Sequence, residues 1–308
     1  MRSRLNQVGK TPLFKLLKAA LTATRLERLI QRFTDEGISD DILDQLKEED
    51  LEKLGVTRMG DRKRLVSIFQ RLFSNGVTGT AMVEVKGGTL PEDSELKGTV
   101  VKTFLIGRYP VLQEDWEWVR VWGICNGYDL GGGQANGSFA PVSHVNWYDA
   151  VKWCNARSEH EGVEPVYNCE GEIYRKGEFG SNGSKLIQQN LNSTGYRLPL
   201  EAEWEWAAIG GILREHEFNP TEIGSQTNEA SLLSWRNLRE PVFNELGIYS
   251  MTSNVWEWCW EHDNFQSAHR IRSGLFSDFG EKRGSRLRIS RSPESRLSAL
   301  GFRLARNV

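Results

Sequence analysis

Gly195-Tyr196-Arg197-Leu198-Pro199-Leu200-Glu201-Ala202-Glu203-Trp204-Glu205-Trp206-Ala207 is the stretch whose reading decides the fold. Gly195 and Pro199 punctuate it, and from Leu200 onward come strong helix formers, with Glu201 and Glu203 in the first turn, where the helix dipole favours negative charge. The pattern predicts a loop feeding a short helix. Trp204 and Ala208 fall one turn apart, as do Glu201 and Glu205, so one face can bury an indole while another carries carboxylates. The carboxylates are expected in solvent.

Outward from this stretch, four further segments appear in order. Val85-Lys86-Gly87-Gly88-Thr89 suggests an opening strand, and Pro141 to Val151 followed by Cys154-Asn155 suggests a helix begun after Asn146. Downstream lie Asn254-Val255-Trp256-Glu257-Trp258-Cys259-Trp260 and Gly301-Phe302-Arg303-Leu304-Ala305-Arg306. Together these motifs resemble the formylglycine-generating enzyme (sulfatase-modifying factor) family, whose fold is an elaborated C-type lectin domain. The resemblance spans residues 82–308 and implies an α+β fold there. Gly131-Gly132-Gly133 and Asn136-Gly137 mark a loop, and residues 170–194 read as a polar loop.

Residues 25–73 have another texture, without tryptophan and dense in Leu, Ile and charge. Leu26, Leu29, Ile30 and Phe33, and again Leu65, Ile68, Phe69 and Leu72, recur at helical spacing. Gly37, Gly55 and Gly60 read as stops between short helices. This order resembles a sterile alpha motif domain, which implies association with itself or with a partner protein. Residues 1–24 read as an N-terminal helical extension with a partner-helix or membrane-surface role, and residues 74–81 as a linker. The fold class expected is thus a small all-α bundle before a C-type lectin-like domain of formylglycine-generating-enzyme type.

A formal charge of -2 over 308 residues gives no general attraction to nucleic acid or membrane. No apolar run of about 18 residues exists, so no membrane span is expected. The apolar stretch from Leu13 to Leu21 is broken by lysines, unlike a secretory signal, and the four cysteines show no CxxC spacing. A cytoplasmic protein with free thiols is expected.

The family's enzymes bind copper through a cysteine pair near the C-terminus, since soft thiolates select Cu(I). No cysteine follows Cys259, so the catalytic ligands are missing. Iron-dependent relatives need clustered histidines, and the five here (His144, His160, His216, His262, His269) lack paired spacing; His262 and His269 could meet across a loop, though solvated surface histidines are the blander expectation. No catalytic residue is assigned. A metal-dependent oxidase or oxygenase of the formylglycine-generating or iron-dependent sulfoxide synthase branch is the alternative. No cofactor is expected, except that the resemblance leaves open a structural Ca2+ at Glu257; the glycine expected before Asn254 is Ser253 here, and a buried, hydrogen-bonded Glu257 is favoured.

From Arg272 to Leu300 the family's skeleton persists while its content changes. Arg288, Arg296, Arg303 and Pro293 occupy family positions, and between them the residues follow no clean period. The segment resembles the variable region of proteins diversified by retroelements, which vary at Asn codons on this same fold and end in a Gly-Phe-Arg-Leu-Ala-Arg strand. That resemblance makes residues 272–300 a candidate variable region. The candidate ligand-binding residues are Leu275, Phe276, Ser277, Asp278, Phe279, Arg283, Arg286, Leu287, Ile289, Ser290, Arg291, Leu297 and Ser298, a mixture of aromatic, aliphatic and arginine side chains suited to protein recognition. Residues 265–308 hold ten basic and three acidic side chains, a local excess of seven that would favour an acidic protein ligand, although several of these arginines are expected to form internal ion pairs. No nucleic-acid motif accompanies them.

Overall fold

The computed structural model describes residues 14–73, 81–135, 137, 140–178, 186–211, 243–249, 251, 255–262, 268–273 and 287–308. The linker expected at 74–81 lies outside them but for Ala81.

The N-terminal bundle contains α1 (Lys15–Ala23), α2 (Ile30–Asp35), α3 (Glu48–Lys53) and α4 (Met59–Phe73), with 3-10 turns at Glu27–Leu29 and Asp40–Gln45. At the start of α1 the Leu16 and Leu17 amides donate to the Asp40 carboxylate at 3.0 and 2.9 Å, tying the first helix to a later turn. Its apolar face, Leu17, Ala20 and Leu21, is fully buried within the molecule. Of the extension expected at residues 1–24, residues 1–13 lie outside the described residues, and the apolar face of α1 is taken up within the molecule. Gly37 and Gly55 do end helical segments, each with φ in the left-handed region (+69° and +91°). Gly60 does not; it is the second residue of α4. All four apolar residues expected to line α4 (Leu65, Ile68, Phe69, Leu72) are buried.

The C-terminal domain follows with β1 (Met82–Val85), β2 (Gly88–Thr89), β3 (Val100–Val101), β4 (Phe104–Gly107), α5 (Gln113–Cys125), α6 (Trp147–Glu161), β5 (Tyr167–Cys169), β6 (Glu172–Ile173), β7 (Ile187–Gln189) and α7 (Glu201–Ala208). It closes with β8 (Trp256–His262), β9 (His269–Ser273), β10 (Leu287–Arg291), β11 (Leu300–Phe302) and β12 (Ala305–Asn307). The sheets run β1-β4-β12, β10-β9-β8-β11, β6-β5-β7 and β2-β3. Strands β5 to β7 fall in and beside residues 170–194, which the sequence suggested were only a loop.

Helix α6 begins as expected, with Asn146 Oδ1 accepting from the Asp149 amide at 2.8 Å, and ends at Gly162, φ +74°. Trp153 from α6 and Trp116 from α5 stack with ring centroids 6.2 Å apart, and Phe302 of β11 meets both edge-on. The bundle joins this core through α1 and α4, which pack on α5. Arg71 of α4 pairs with Glu114 at 2.6 Å and Asp115 at 2.5 Å, and both acids lie in the first turn of α5.

The C-terminus changes sheets within a few residues. β11 pairs in parallel with β8, whereas β12 pairs antiparallel with β4. Arg303 and Leu304 make the crossing, and both are fully buried. Gly301 is required on this path: a Cβ there would stand 2.3 Å from the Val142 carbonyl oxygen.

Candidate functional site

The candidate surface is built on the pairing of β9 with β10, whose register sets Arg288 opposite Arg272 and Ile289 opposite Ile271. Alternation sends the two arginines to one face, where α7 lies. Arg288 donates to both carboxylate oxygens of Glu201 at 2.5 and 2.9 Å, and Arg272 reaches Glu201 at 3.2 Å and Glu205 at 2.8 Å. Arg272 also lies over the Trp204 ring, 5.6 Å from its centroid. Glu203 pairs with Arg197 at 2.6 and 2.7 Å.

These contacts correct the reading of α7. Glu201, Glu203 and Glu205 are buried, with 2%, 6% and 1% exposure, and no face of the helix carries them in solvent. Charges are tolerated there because each acid meets a guanidinium. Glu261 adds a further carboxylate that accepts from the Glu201 amide at 2.8 Å, and burial pushes its pKa from 4.5 up to about 7.

Two more arginines fasten the C-terminal segment. Arg296 pairs with Asp149 of α6 and, at 2.8 Å, with Glu178. The Pro293 carbonyl accepts from the Trp147 amide at 3.0 Å, and the Leu297 carbonyl from the His144 amide at 3.0 Å. Arg303 donates to Glu257 at 2.8 and 3.0 Å while bonding the carbonyls of Gly107, Arg108 and Tyr249.

The candidate ligand-binding residues divide accordingly. Leu275, Phe276, Ser277, Asp278, Phe279, Arg283 and Arg286 lie outside the described residues, and Leu287 is described only through the backbone of β10. Ile289 is half-buried against the core, and Ser290 accepts from the Arg270 guanidinium at 2.8 Å. Arg291, Leu297 and Ser298 stand exposed, with Leu297 at 44%. Ser298 also borders a cleft of about 190 Å³ whose other walls include Gln134, Val142, His144 and Val255. Sequence reasoning missed these walls. His144 holds φ +57°, a conformation no motif announced, and the glycines before Gln134 were the one local signal.

Among the described residues, the donor sets needed for the family's metals do not come together. Glu257 is fully buried, and its oxygens already accept from Arg303 and, at 2.7 Å, from Trp204 Nε1; a guanidinium stands where a Ca2+ ligand shell would need free oxygens. Copper would need paired thiolates. Burial pushes the Cys125 thiol up to about 12 and raises those of Cys154 and Cys259 as well. His262 and His269 do meet, with ring centroids 4.0 Å apart, but His269 is buried, stacked on Trp147 at 3.7 Å, with its Nδ1–H donating to the Trp260 carbonyl. They are part of an aromatic cluster, not a solvated pair. Among the described residues no group of three or more His, Cys, Asp or Glu converges on a metal position. No described helix is long and apolar enough to cross a membrane.

Residues 69–308 match the model of the sulfatase-modifying factor enzyme 1-like domain, and residues 21–72 match that of the sterile alpha motif. The chain is 33% identical to the chaperone protein LppX of Paenibacillus barcinonensis, covering 61% of this chain and 73% of that protein. It is 24% identical to the inactive C-alpha-formylglycine-generating enzyme 2 of Bos taurus over 54% of this chain, spanning 50% of the bovine protein. Variable protein 1 of Treponema denticola, a solved structure, superposes with a TM-score of 0.56 at 27% identity, over 77% of this chain and 98% of that one.

Proposed function

We propose that this chain, which belongs to the family of sulfatase-modifying factor enzyme 1-like domains, is a non-catalytic ligand-binding protein that displays a diversified protein-recognition surface between residues 275 and 299. The observation that carries the reading is the division of labour among the described residues of the C-terminal segment. Arg272, Arg288, Arg296 and Arg303 are each tied to carboxylates of the scaffold, while Arg291, Leu297 and Ser298 between them face outward. Such an arrangement lets outward side chains differ without unpairing a buried charge. The likeness to a variable protein supports the reading, as does the likeness to a family member described as inactive. The helical bundle, matching the sterile alpha motif, supplies protein-protein association.

The test is the sequence of the gene's 3' end and its flanks in several isolates of the source population. Differences confined to codons 275–299, sparing Arg288 and Arg296, with a near-copy repeat and a reverse transcriptase gene nearby, are expected. An invariant segment without those neighbours, or variation that strikes Arg272, Arg288, Arg296 and Arg303 as often as Arg291 and Ser298, refutes it.

A further inference from the structure

A second, larger cleft of about 730 Å³ lies where the helical bundle meets the C-terminal domain. From the bundle side it is lined by Arg25, Arg28, Arg58, Asp61 and Arg64; the opposite side includes Gln113 and Glu117 of α5. Its volume is that of a small-molecule site, and such sites favour domain junctions. The charges are unbalanced. Glu117 is half of a local pair, 3.6 Å from Arg64 Nε, and accepts from Gln113 Nε2 at 2.9 Å. Arg25, Arg28 and Arg58 make no ion pair among the described residues. Three arginines thus line one concavity with Asp61 as the remaining acid.

Arginines on an open surface are ordinarily balanced by solvent. The lining of this cleft holds a second unmatched group. Gln113 is more than nine-tenths buried, and its Oε1 has no hydrogen-bond donor. A buried acceptor left without a donor costs on the order of 1–3 kcal/mol, so such groups are rare and require an explanation. The lining therefore combines unpaired arginines with a buried acceptor that lacks a donor.

We propose that this cleft binds a small ligand carrying a di- or triphosphate, with Arg25, Arg28 and Arg58 matching its negative charge and Gln113 accepting from a hydroxyl or amino group of the same molecule. Planar guanidinium forks match phosphate oxygens in pairs, and three of them match the charge of a polyphosphate better than that of a single carboxylate. Nucleotides have both halves of this chemistry. The site is separate from the recognition surface and stands whether or not that surface is diversified. Gln134 and Ala135 also line the smaller cleft beside Ser298.

The test uses the full chain, titrated calorimetrically with ATP, with inorganic pyrophosphate and with a hexaglutamate peptide, in low and in 0.2 M salt. ATP and pyrophosphate are expected to bind saturably and to weaken severalfold or more with salt, as exposed charge pairs do. The triple variant Arg25→Ala/Arg28→Ala/Arg58→Ala, which alters exposed side chains, should lose both by on the order of a hundredfold or more. Gln113→Leu should keep pyrophosphate and lose the margin by which ATP binds tighter. A thermal melt accompanies each variant; if the triple variant melts early, Arg58→Glu alone must show the loss. No saturable binding at millimolar ligand, equal binding by the triple variant, or hexaglutamate binding tighter than pyrophosphate overturns the proposal, the last by making the cleft a seat for an acidic peptide.

Discussion

Replacing Arg303 with methionine leaves Glu257 as an uncompensated carboxylate at a position with no solvent exposure. The guanidinium holds both Glu257 oxygens and three backbone carbonyls, those of Gly107, Arg108 and Tyr249, so its loss also strips donors from β4's end and from the turn at Tyr249. Breaking a buried pair by removing one partner costs about 3–5 kcal/mol. At roughly 2–4 °C per kcal/mol for a chain of this size, the melting temperature should fall by roughly 6–20 °C. Urea denaturation followed by tryptophan fluorescence measures the free energy directly. The double variant Glu257→Leu/Arg303→Met should recover part of the loss, because no buried charge then remains unpaired. Arg291→Ala, at an exposed position, should stay within about 0.5 kcal/mol of wild type. If Arg303→Met lies within about 1 kcal/mol of wild type, or the double variant is no more stable than the single, the pair is not what anchors the closing strands.

Gly301→Ala should destabilise by about 1–3 kcal/mol, since the added Cβ would meet the rigid Val142 carbonyl at 2.3 Å; a measured loss below about 0.5 kcal/mol would show that β11 can shift. Glu261 titrates above its ordinary 4.5, near 7, so the folded state binds its proton more tightly than the unfolded one. Its contribution is present below pH 4.5 and is lost as pH rises to 7, up to about 3 kcal/mol, and Glu261→Gln should flatten that part of the stability profile. Cys154 and Cys259 are fully buried and Cys125 nearly so, whereas Cys169 is half-buried. A thiol reagent should therefore modify at most one cysteine rapidly in the native protein and all four in denaturant; rapid native reaction at two or more would contradict the packing.

Much of the architecture was legible because local rules and motif order agreed. Asn146 capping α6, the buried stripe of α4 and the helix after Pro199 each follow from side chains within a few residues of the backbone they control. The carboxylates of α7 were misread for the opposite reason. Amphipathic reasoning sends Glu201 and Glu205 to water unless a partner is known, and their partners Arg272 and Arg288 come 67 to 87 residues later. No period in the sequence encodes that distance. The cleft beside Ser298 was hidden in the same way: His144 accepts from Arg296 across 152 residues of sequence. Helix α6 shows the converse failure, since it is buried nearly all round and its stripe carries little information about which side faces the core.

The same distances change what the local charge means. Ten basic residues against three acidic ones in the last 44 residues suggested a positive surface seeking an acidic partner. Arg272, Arg288, Arg296 and Arg303 are matched by Glu201, Glu205, Asp149, Glu178 and Glu257, all supplied from outside that segment. Arg270 lies 3.9 Å from Glu201, and Arg306 lies over the Tyr196 ring and donates to the Thr194 carbonyl. Of the excess, Arg291 is the described basic residue left exposed and without an acidic partner among the described residues. Neutralised arginines of this kind add fixed shape to a recognition surface and little field. Partner choice on such a surface would then rest on whichever side chains occupy the outward positions, with the charge of the described residues satisfied from within, so raising salt should weaken ligand binding less than a net excess of seven charges implies.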